Sequence, residues 1–379
     1  MTEATIIGGG IGGLSLAVGL KQRGIDFHVY EATDEYKPAG AGIIWQINTM
    51  QALDRLGLAA DVQKHGASHA GYSVRDASDE FVMENDWTEF EDEFGFRVHG
   101  IYRSKFQEIL VSKIGEENIT MGKECIGVEQ DGDSVTVQFA DGTDVDAAFA
   151  VGADGINSAV RESLFPGHSL EYLDCVTHRG LPEWRPPAEV EDKLWNVFAE
   201  DGHVGYVPLE ADTRKGYWFY TMHSEEIESK DPADVKDGLL ERAASKPDRV
   251  GEMIDATPVD SIKSVDAPYV PPMETWSKGD VTLLGDASHG MTPHAAQGGG
   301  MAIEDALALS IALDEHDSLE DAQEWYESVR IERASEFVER SRRNGLGAIS
   351  EGADHIEKMR HAPAEAMKQQ VREDLTLGF

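Results

Sequence analysis

Gly8-Gly9-Gly10-Ile11-Gly12-Gly13 is a glycine-rich turn that directly follows a short apolar run and precedes a helical pattern. In such a unit Gly8 permits a tight turn, Gly10 lets a pyrophosphate approach the backbone, and Gly13 lets helix and strand pack closely. The helix N-terminus supplies free N–H groups and a positive dipole end to the phosphates. A second apolar run ends at Glu31, which can accept hydrogen bonds from ribose hydroxyls and disfavours a 2′-phosphate. We therefore predict a dinucleotide site that does not take NADP.

Two later motifs place an aspartate beside a glycine directly after an apolar run. They are Ala153-Asp154-Gly155 and Leu284-Gly285-Asp286-Ala287, and at a strand end such a carboxylate can bind a ribose or ribityl hydroxyl. Gly298-Gly299-Gly300 then opens a long helical pattern, whose free N–H groups suit the negative charge of a reduced flavin. A dinucleotide held from three points of one sheet is typical of a flavin enzyme, so FAD is the predicted cofactor.

The charge balance is extreme, with 71 acidic and 33 basic residues and a formal net charge of −38. The acids are spread along the chain and 41% of the residues are hydrophobic, which indicates a folded protein with a uniformly acidic surface. Such a surface repels nucleic acid and anionic membranes, so neither is expected as a partner. Because its self-repulsion is screened at molar salt, where the Debye length is about 3 Å, we expect a halophilic protein from a high-salt cytoplasm.

The remaining composition narrows the class of protein. No run of about 18 or more apolar residues occurs, so no membrane span is predicted. The chain passes from Met1 directly into its first apolar run, which predicts no signal peptide and a cytoplasmic location. The two cysteines, Cys125 and Cys175, are spaced for neither a metal site nor a disulfide framework, and no metal is expected.

The order of the motifs predicts an α/β fold whose domains are built from interrupted segments. Aromatic-rich strand patterns between the middle and late motifs indicate a second, antiparallel sheet. The predicted division is a discontinuous FAD-binding domain at 1–70, 100–170 and 276–330, a substrate domain at 71–99 and 171–275, and C-terminal helices at 331–379.

Four motifs match one known family in order and spacing. They are Gly8-x-Gly10-x-x-Gly13 with Glu31, Arg103 at the head of a helical pattern, Gly152-Ala153-Asp154-Gly155 with Arg161, and Gly285-Asp286-Ala287-Ser288-His289 followed by Pro293 and Gln297-Gly298-Gly299. On these residues, nearly the whole chain resembles the group A FAD-dependent aromatic hydroxylases, flavoprotein monooxygenases that include salicylate- and 6-hydroxynicotinate-hydroxylating enzymes.

This resemblance implies a Rossmann-like FAD-binding domain of the GR2 type, as in para-hydroxybenzoate hydroxylase. It further implies an interleaved antiparallel β-sheet substrate domain and C-terminal helices. The implied reaction uses NAD(P)H and O2 to hydroxylate a small aromatic or heteroaromatic substrate through a flavin C4a-hydroperoxide. A homodimer is one option for the assembly.

The resemblance also assigns residues to the cofactor. Glu31 would bind the adenosine ribose, Asp286 the ribityl chain, and Arg103 the flavin or its phosphates. Asp154 would lie behind the pyrophosphate, with its loop also serving NAD(P)H, and the backbone near Cys125 would touch adenine. The predicted cofactor contacts are Gly8, Gly10, Ile11, Gly12, Gly13, Glu31, Gly42, Arg103, Cys125, Asp154, Gly285, Asp286, Gly298, Gly299, Gly300 and Met301.

The candidate catalytic residues are Pro293, His294, Tyr217 and His203. The segment with Pro293 and His294 must pass between the ribityl-binding aspartate and the flavin-binding glycines, so it runs along the flavin edge where the reacting ring must lie. Pro293 has no N–H, and its carbonyl is predicted to be free to accept from a substrate hydroxyl. His294 can take that proton near neutral pH, with Tyr217 or His203 as polar partner.

Structural alternatives exist for these residues. His294 can instead point to solvent or cap the next helix, and His289 fits holding the loop better than chemistry. The polar aromatic residues of the strands fit core packing better than substrate binding; they are His203, Tyr206, Tyr217, Tyr220 and His223. Arg179 and Arg214 are candidates for a substrate carboxylate, and the substrate itself is left open.

Two other functions stay open on the same motifs. One is an FAD-dependent reductase, saturase or epoxidase of isoprenoid lipids, which fits a salt-adapted organism. The other is an FAD-binding protein without turnover, whose flavin NAD(P)H could not reduce.

Overall fold

The structure is a computed structural model. It describes residues 3–36, 42–132, 134–188, 190–213, 215–223, 231–350, 352–361, 364–377 and 379. Arg214, one of the two arginines considered for a substrate carboxylate, lies outside the described residues.

The strands of the described residues are, in chain order, β1 (Ala4–Ile7), β2 (Phe27–Tyr30), β3 (Gly42–Trp45), β4 (Ala67–His69), β5 (Gly71–Asp76), β6 (Phe81–Asp86), β7 (Val98–Tyr102), β8 (Ile119–Thr120), β9 (Cys125–Asp131), β10 (Ser134–Phe139), β11 (Asp144–Ala147), β12 (Ala150–Gly152), β13 (Glu171–Gly180), β14 (Lys193–Ala199), β15 (Gly202–Pro208), β16 (Gly216–His223), β17 (Lys263–Tyr269), β18 (Ser277–Lys278) and β19 (Val281–Leu283). The helices are α1 (Ile11–Gln22), α2 (Ile47–Arg55), α3 (Ala59–His65), α4 (Glu91–Phe94), α5 (Arg103–Ile114), α6 (Ala159–Leu164), α7 (Pro232–Ala243), α8 (Asp248–Asp255), α9 (Asp286–His289), α10 (Gly298–Glu315), α11 (Leu319–Ser350), α12 (Gly352–Arg360) and α13 (Ala364–Leu375).

The main sheet has six strands in the order β18-β19-β12-β1-β2-β8. From β19 to β8 the strands are parallel, and β18 alone runs antiparallel to its neighbour. The residues of β1 and β19 are all buried, as expected for parallel strands that helices cover on both faces. Because the strands are parallel, the ends of β1, β2, β12 and β19 meet at one edge, which brings the three sequence motifs together.

A second sheet has seven strands in the order β17-β13-β16-β15-β14-β5-β6. It contains strands from residues 71–86 and from residues 171–269. Among the strands β13 to β17, each pair of neighbours in the sheet is antiparallel. The face that carries Trp218 and Tyr220 packs with Leu239 of α7 and Met253 of α8 in one hydrophobic core. Helices α7 and α8 therefore do not cover the opposite face of this sheet, which is turned toward the rest of the molecule. An α/β fold with an interleaved antiparallel sheet is confirmed, while the domain boundaries stay a prediction.

Long helices pack around the main sheet, and α10 among them is mostly buried. Helix α10 packs beside α1, and its residues from Gly300 to Leu313 are all buried. Helix α11 packs across α10, and α12 and α13 follow it. None of the helices in the described ranges is long and apolar enough to span a membrane.

Candidate active site

In the glycine turn at the end of β1, three positions each use glycine for a different physical reason. Gly8 has a φ of +107°, and a Cβ there would lie 2.3 Å from the Ala153 carbonyl oxygen. A Cβ at Gly13 would lie 2.0 Å from the Gly8 carbonyl oxygen, so helix and strand touch at this point. A Cβ at Gly10 would meet nothing within 4 Å, which leaves that backbone open to an approaching ligand.

The next two predicted contacts of the turn belong to the start of α1. Ile11 is the first residue of α1 and is buried. Gly12 faces the protein interior, because its Cβ would lie 2.6 Å from Leu284. Both residues can therefore serve a ligand only through their backbone N–H groups.

Glu31 at the end of β2 holds the turn as well as facing the predicted ribose position. Its Oε2 accepts from the Gly9 N–H at 2.7 Å and its Oε1 accepts from the Thr33 N–H at 2.9 Å. Tyr36, which the sequence reading missed, places its hydroxyl beside Gly9. Burial and the nearby Glu31 raise the pKa of Tyr36, and its hydroxyl oxygen has no partner among the described residues.

A cleft of about 210 Å³ opens beside these residues. Its lining comprises Ile7, Gly8, Gly10, Tyr30, Glu31, Ala32, Lys123, Cys125, Ala153, Asp154 and Gly155. Burial raises the pKa of Cys125 to about 11, so its side chain is a neutral thiol. The cleft thus contains the residues predicted for adenosine.

Asp154 contributes one free acceptor to this cleft. Its Oδ2 accepts from the N–H groups of Ala159 at 2.8 Å and Val160 at 3.2 Å, which caps α6. Its Oδ1 is buried and has no partner in the described part of the chain. A buried carboxylate oxygen without a donor is the acceptor that a ligand hydroxyl or amine would satisfy.

Asp286 and the glycine start of α10 come together although they are twelve positions apart in sequence. Asp286 is exposed, whereas Ala287, Ser288 and His289 behind it are buried. Gly285 before it has a φ of +65°, and a Cβ on Gly298 would lie 3.9 Å from the Asp286 Oδ1. The ribityl-binding acid and the flavin-binding helix end of the prediction therefore share one site.

The three glycines of α10 divide into one open and two packed positions. A Cβ on Gly298 would meet only van der Waals neighbours, the closest at 3.4 Å. A Cβ on Gly299 would lie 2.8 Å from Ile43, and one on Gly300 would lie 2.3 Å from the Thr49 Oγ1. Glycine at 299 and 300 lets α10 press against β3 and α2, while Gly298 leaves its backbone exposed at the helix N-terminus, which is a preorganised donor for negative charge.

Three other predicted contacts lie around this helix end. Met301 is buried and its N–H donates to the Gln297 carbonyl at 2.8 Å, so this N–H is not free for a cofactor. Arg103 is the first residue of α5 and is exposed. Gly42 begins β3, and a Cβ there would lie 2.5 Å from Tyr217, which makes Gly42 a point of close approach between β3 and the seven-stranded sheet.

A buried polar network lies beneath the helix end, and the sequence reading missed it. Glu304 Oε1 accepts from the Asn48 Nδ2 at 2.7 Å, and Glu304 Oε2 accepts from Arg330 at 2.6 Å. Arg330 also donates to Asp305 Oδ1 at 2.7 Å, and all three charged side chains are fully buried. An adjacent acid pair on an otherwise apolar helix was the signal in the sequence, but its partners lie far away along the chain.

His289 belongs to the same network and holds the loop. Its Nε2 lies 2.6 Å from the Asp305 Oδ2, which also accepts from the Gly285 N–H at 3.0 Å. Arg161 fixes the other side of the loop by donating to the Ala287 carbonyl at 2.8 Å. These contacts support the holding role for His289 and orient the whole segment that follows Asp286.

The substrate candidates lie on one face of the seven-stranded sheet and on the turn that precedes α10. His203 on β15 and Tyr217 on β16 lie on the face opposite α7 and α8, whereas Tyr206 and Tyr220 pack in the core on the other face. The ring of His294 lies 6.2 Å from the ring of His203, measured between centroids. His223 lies at the end of β16, 4.0 Å from Asp174. The structure thus brings His203 and His294 together.

Burial sets the protonation of these groups. It lowers the pKa of His294 to about 4, and it lowers the pKa of His203 to about 3. It raises the pKa of Tyr217 to about 12. All three side chains are therefore neutral at neutral pH. For His294 this differs from the prediction of a histidine that titrates near neutral pH. The physical reason is that α11 and the sheet cover the imidazoles.

Pro293 also differs from its prediction. Its carbonyl oxygen accepts from the Ala296 N–H at 3.1 Å in a short 3-10 turn, so it is already engaged. Its side chain is exposed. Within the described residues, by contrast, both ring nitrogens of His294 and the Nδ1 of His203 are buried without a partner. The unpaired polar atoms that face this site are therefore those of the histidines.

The residues present fit FAD at both ends of the site. At one end are the open Gly10 backbone, the free Asp154 oxygen and the adenosine-sized cleft. At the other end, the exposed Asp286 lies beside the open start of α10. In the described residues no group of three or more His, Cys, Asp and Glu side chains is placed to hold a metal ion.

Comparisons with known proteins agree with this geometry. A family model described as FAD binding domain matches residues 1–341. An aurachin C monooxygenase/isomerase of Stigmatella aurantiaca is 33% identical over 346 residues, which cover 90% of this chain and 88% of the relative. An FAD-dependent urate hydroxylase of Mycolicibacterium vanbaalenii is 32% identical over 352 residues, which cover 90% of this chain and 87% of the relative.

Solved structures show the same fold over the full length. The crystal structure of Klebsiella pneumoniae HpxO complexed with FAD and uric acid matches with a TM-score of 0.91 and 26% identity, covering 99% of this chain and 96% of that one. The resemblance seen in the motifs is confirmed: the chain belongs to the FAD-binding domain family and is an FAD-dependent flavoprotein monooxygenase of the group A aromatic hydroxylase type.

Proposed function

We propose that this protein uses NAD(P)H and O2 to hydroxylate a small aromatic or heteroaromatic substrate. The observation that carries the proposal is the facing pair of histidines, His203 and the half-buried His294, whose ring nitrogens include three that are buried and have no partner among the described residues. FAD, when bound, supplies the redox chemistry by taking electrons from NAD(P)H and delivering one oxygen atom from O2 to the ring. The chain's own residues must bind the ring, orient it and exclude water.

Orientation is the role that the sheet face supports best. Phe219 lies between Tyr217 and His203 on this face and contacts both rings, with centroid distances of 6.3 and 5.5 Å. Phe198 stacks on the other side of His203 at 4.8 Å. An apolar wall with a few placed polar atoms is the usual lining for an aromatic ligand. The neutral imidazoles can each donate or accept, so they can fix a ring hydroxyl or a ring carbonyl.

His294 is the best-placed group for a proton. It lies on the loop between Asp286 and Gly298, and neither of its ring nitrogens is committed to a protein partner in the described structure. Because its pKa lies near 4 without substrate, it is present as the neutral base. A hydroxyl on the bound ring could give its proton to the His294 imidazole. The imidazolium formed would then stabilise the substrate oxyanion beside it.

The relatives support the substrate class. One of them is a urate hydroxylase, and the structural neighbour HpxO was solved with uric acid, a small heteroaromatic ring. At 32% and 26% identity these proteins support a class of substrate and leave the individual compound to experiment. The class we propose is a planar ring that bears at least one hydroxyl or carbonyl group.

A substrate screen tests the proposal. FAD-loaded protein would be mixed with NADH or NADPH and a panel containing urate, salicylate and 6-hydroxynicotinate, at high salt. The expected result is ring-stimulated NAD(P)H oxidation, matched by O2 uptake, with one ¹⁸O atom from ¹⁸O2 in the product. Stimulated oxidation without O2 uptake would instead support the lipid reductase, and a flavin that NAD(P)H cannot reduce with any ligand would support a binding protein without turnover.

A further inference from the structure

Arg179 was considered for a substrate carboxylate from the sequence, and the proposed chemistry does not use it. It lies on β13, half-buried, and pairs across the sheet with Phe219 of β16. Side chains directly opposite on paired strands share a face, and so do residues two apart along a strand. Arg179 is therefore on the same face as Phe219, Tyr217 and His203, the face that looks toward the flavin loop.

Arg179 has no acidic partner in the described part of the chain. Burial lowers its pKa, the nearby Tyr217 hydroxyl opposes this, and the nearby Arg103 guanidinium adds to it. The two groups that act on it are thus a phenol and a second cation. No carboxylate among the described residues compensates the charge.

The buried cations of the described residues have partners within the chain, and one of them, Arg161, donates to the carbonyls of Ile156 and Ala287. Arg330 is paired with Glu304 and Asp305, and Lys246 lies 2.9 Å from the Asp201 carboxylate. Acids outnumber bases 71 to 33, so a cation in this chain would meet a carboxylate easily by chance. Among the described residues, the titratable groups that act on the half-buried Arg179 guanidinium are a phenol and another arginine, so we infer that a bound anion serves as its counter-ion.

The neighbouring positions extend the same electrostatic preference. Lys263 on β17 is the cross-strand partner of Arg179 on its other side, and it is exposed. Arg103 begins α5 and is also exposed. Neither side chain is engaged with an acid in the described structure. Three cations around one strand end form a local positive region on a protein of net charge −38, which would attract an anion to this point.

We propose that Arg179 is a specificity-determining residue that binds an anionic group, a carboxylate or ring oxyanion, of the aromatic substrate. This inference rests on the proposed function and narrows its substrate class to anions. The planar guanidinium would take the group in a bidentate pair, while Tyr217 beside it donates its hydroxyl. The ring would then extend from Arg179 across Phe219 toward His203 and His294.

Matched ligand pairs test the inference by binding alone. Salicylate and salicylamide, and 6-hydroxynicotinate and its amide, would be titrated into FAD-loaded protein at one fixed salt concentration, followed by the absorption change of the bound flavin. We expect each carboxylate to bind more tightly than its amide. Arg179→Gln should weaken carboxylate binding by about tenfold or more and leave amide binding unchanged. Arg179→Lys should give an intermediate loss, because it keeps the charge without the fork.

The control is Arg75→Gln, because Arg75 stacks on Phe81 near the far edge of the same sheet. It should leave both members of each pair unaffected. Equal affinity for carboxylate and amide in the native protein, or an equal loss for both in Arg179→Gln, would overturn the inference. A raised KM for NAD(P)H with unchanged ring affinities would also overturn it, by assigning Arg179 to the nicotinamide cofactor's phosphates.

Turnover separates this inference from the proposed function. If no ring compound stimulated NAD(P)H oxidation, the hydroxylase proposal would fail. If anions and amides were hydroxylated with equal efficiency, only the role of Arg179 would fail.

Discussion

The side-chain amides of Asn48 and Gln297 hydrogen-bond each other in both directions, each bond measuring 3.2 Å. Both residues are buried, and Gln297 is the residue that precedes the glycine start of α10. Asn48 also donates to Glu304, about two turns further along the same helix. Helix α2 therefore sets the position of the helix end that is predicted to bind the flavin.

Loss of the Asn48 amide should loosen that helix end. Asn48→Leu would leave the Gln297 amide and one Glu304 oxygen buried without this partner, at a cost of about 1–3 kcal/mol. We expect a lower free energy of unfolding in urea and weaker FAD binding. The matched control is Gln369→Leu, since Gln369 is exposed and, among the described residues, donates to Glu373 one turn away. Equal FAD affinity and stability in the two variants would contradict this role.

Asp286 should matter for the cofactor far more than for the fold. Its side chain is exposed and makes none of the contacts that hold the loop, which come from His289 and Arg161. Asp286→Ala removes an acceptor for ribityl hydroxyls, so FAD affinity should fall by about tenfold or more while the circular dichroism spectrum stays unchanged. Asp260→Ala, at an exposed site in the other sheet's connection, serves as control. Wild-type FAD occupancy in Asp286→Ala would remove the late motif from the cofactor site.

The fold should weaken as salt is removed. Between 1 M and 0.1 M salt the Debye length grows from about 3 Å to about 10 Å, so neighbouring acids on a surface of net charge −38 begin to repel. Thermal unfolding should therefore show a higher Tm in molar KCl than in dilute KCl. Removing KCl at a constant sucrose concentration should still lower the Tm if screening is the cause, because sucrose stabilises the fold without screening charge. A flat Tm across this range would count against a halophilic protein.

Acid should destabilise the protein through the buried histidines. Burial lowers the pKa of His294 to about 4, whereas an unfolded imidazole titrates near 6.5. The unfolded chain thus binds a proton that the native protein does not, and the stability from this residue is full above pH ~6.5 and declines as the pH falls toward 4. The slope is at most about 1.4 kcal/mol per pH unit for one histidine.

A difference measurement isolates this effect from other titrating groups. Urea unfolding of native protein and of His294→Asn would be compared from pH 7 to pH 5. The advantage of the native protein should shrink as the pH falls, and the exposed His65→Asn should track the native curve. Parallel curves for native protein and His294→Asn would show that residue 294 titrates normally in the fold.

The local motifs were predictable because each depends on neighbours in sequence. Gly8, Gly10 and Gly13 have the three environments that the spacing predicts, and the aromatic strands pair antiparallel as their pattern indicates. The alternation of side chains along a strand places Tyr217 and Tyr220 on opposite faces of the sheet. It does not tell which of the two faces meets the flavin loop. That choice depends on α7 and α8 covering the opposite face.

The rest depends on contacts between distant segments. Asn48 and Gln297 are 249 positions apart, and nothing local to either residue indicates the other. The protonation of His294 was misjudged for the same reason. Gly345 of α11 backs its ring so closely that a Cβ there would lie 2.6 Å from the Nδ1. The burial that shifts its pKa is therefore supplied by a helix about fifty residues further along the chain.

His294 should control the coupling of oxygen transfer. If it receives the proton of a bound ring hydroxyl, His294→Ala and His294→Asn should slow substrate-stimulated NAD(P)H oxidation by about 100-fold or more, the usual contribution of a positioned base. If it serves mainly to orient the ring, the same variants should oxidise NAD(P)H but release hydrogen peroxide in place of product. In both cases FAD content should stay unchanged, because the His294 ring nitrogens hydrogen-bond to none of the described residues that hold Asp286 in place. His203→Phe keeps the aromatic stack on Phe198 and tests the partner imidazole separately.

The measurement is the ratio of product formed to NAD(P)H consumed, with flavin content read from the absorbance after acid precipitation. Wild-type coupling in both His294 variants, with a substrate that the native enzyme hydroxylates, would take His294 out of the mechanism.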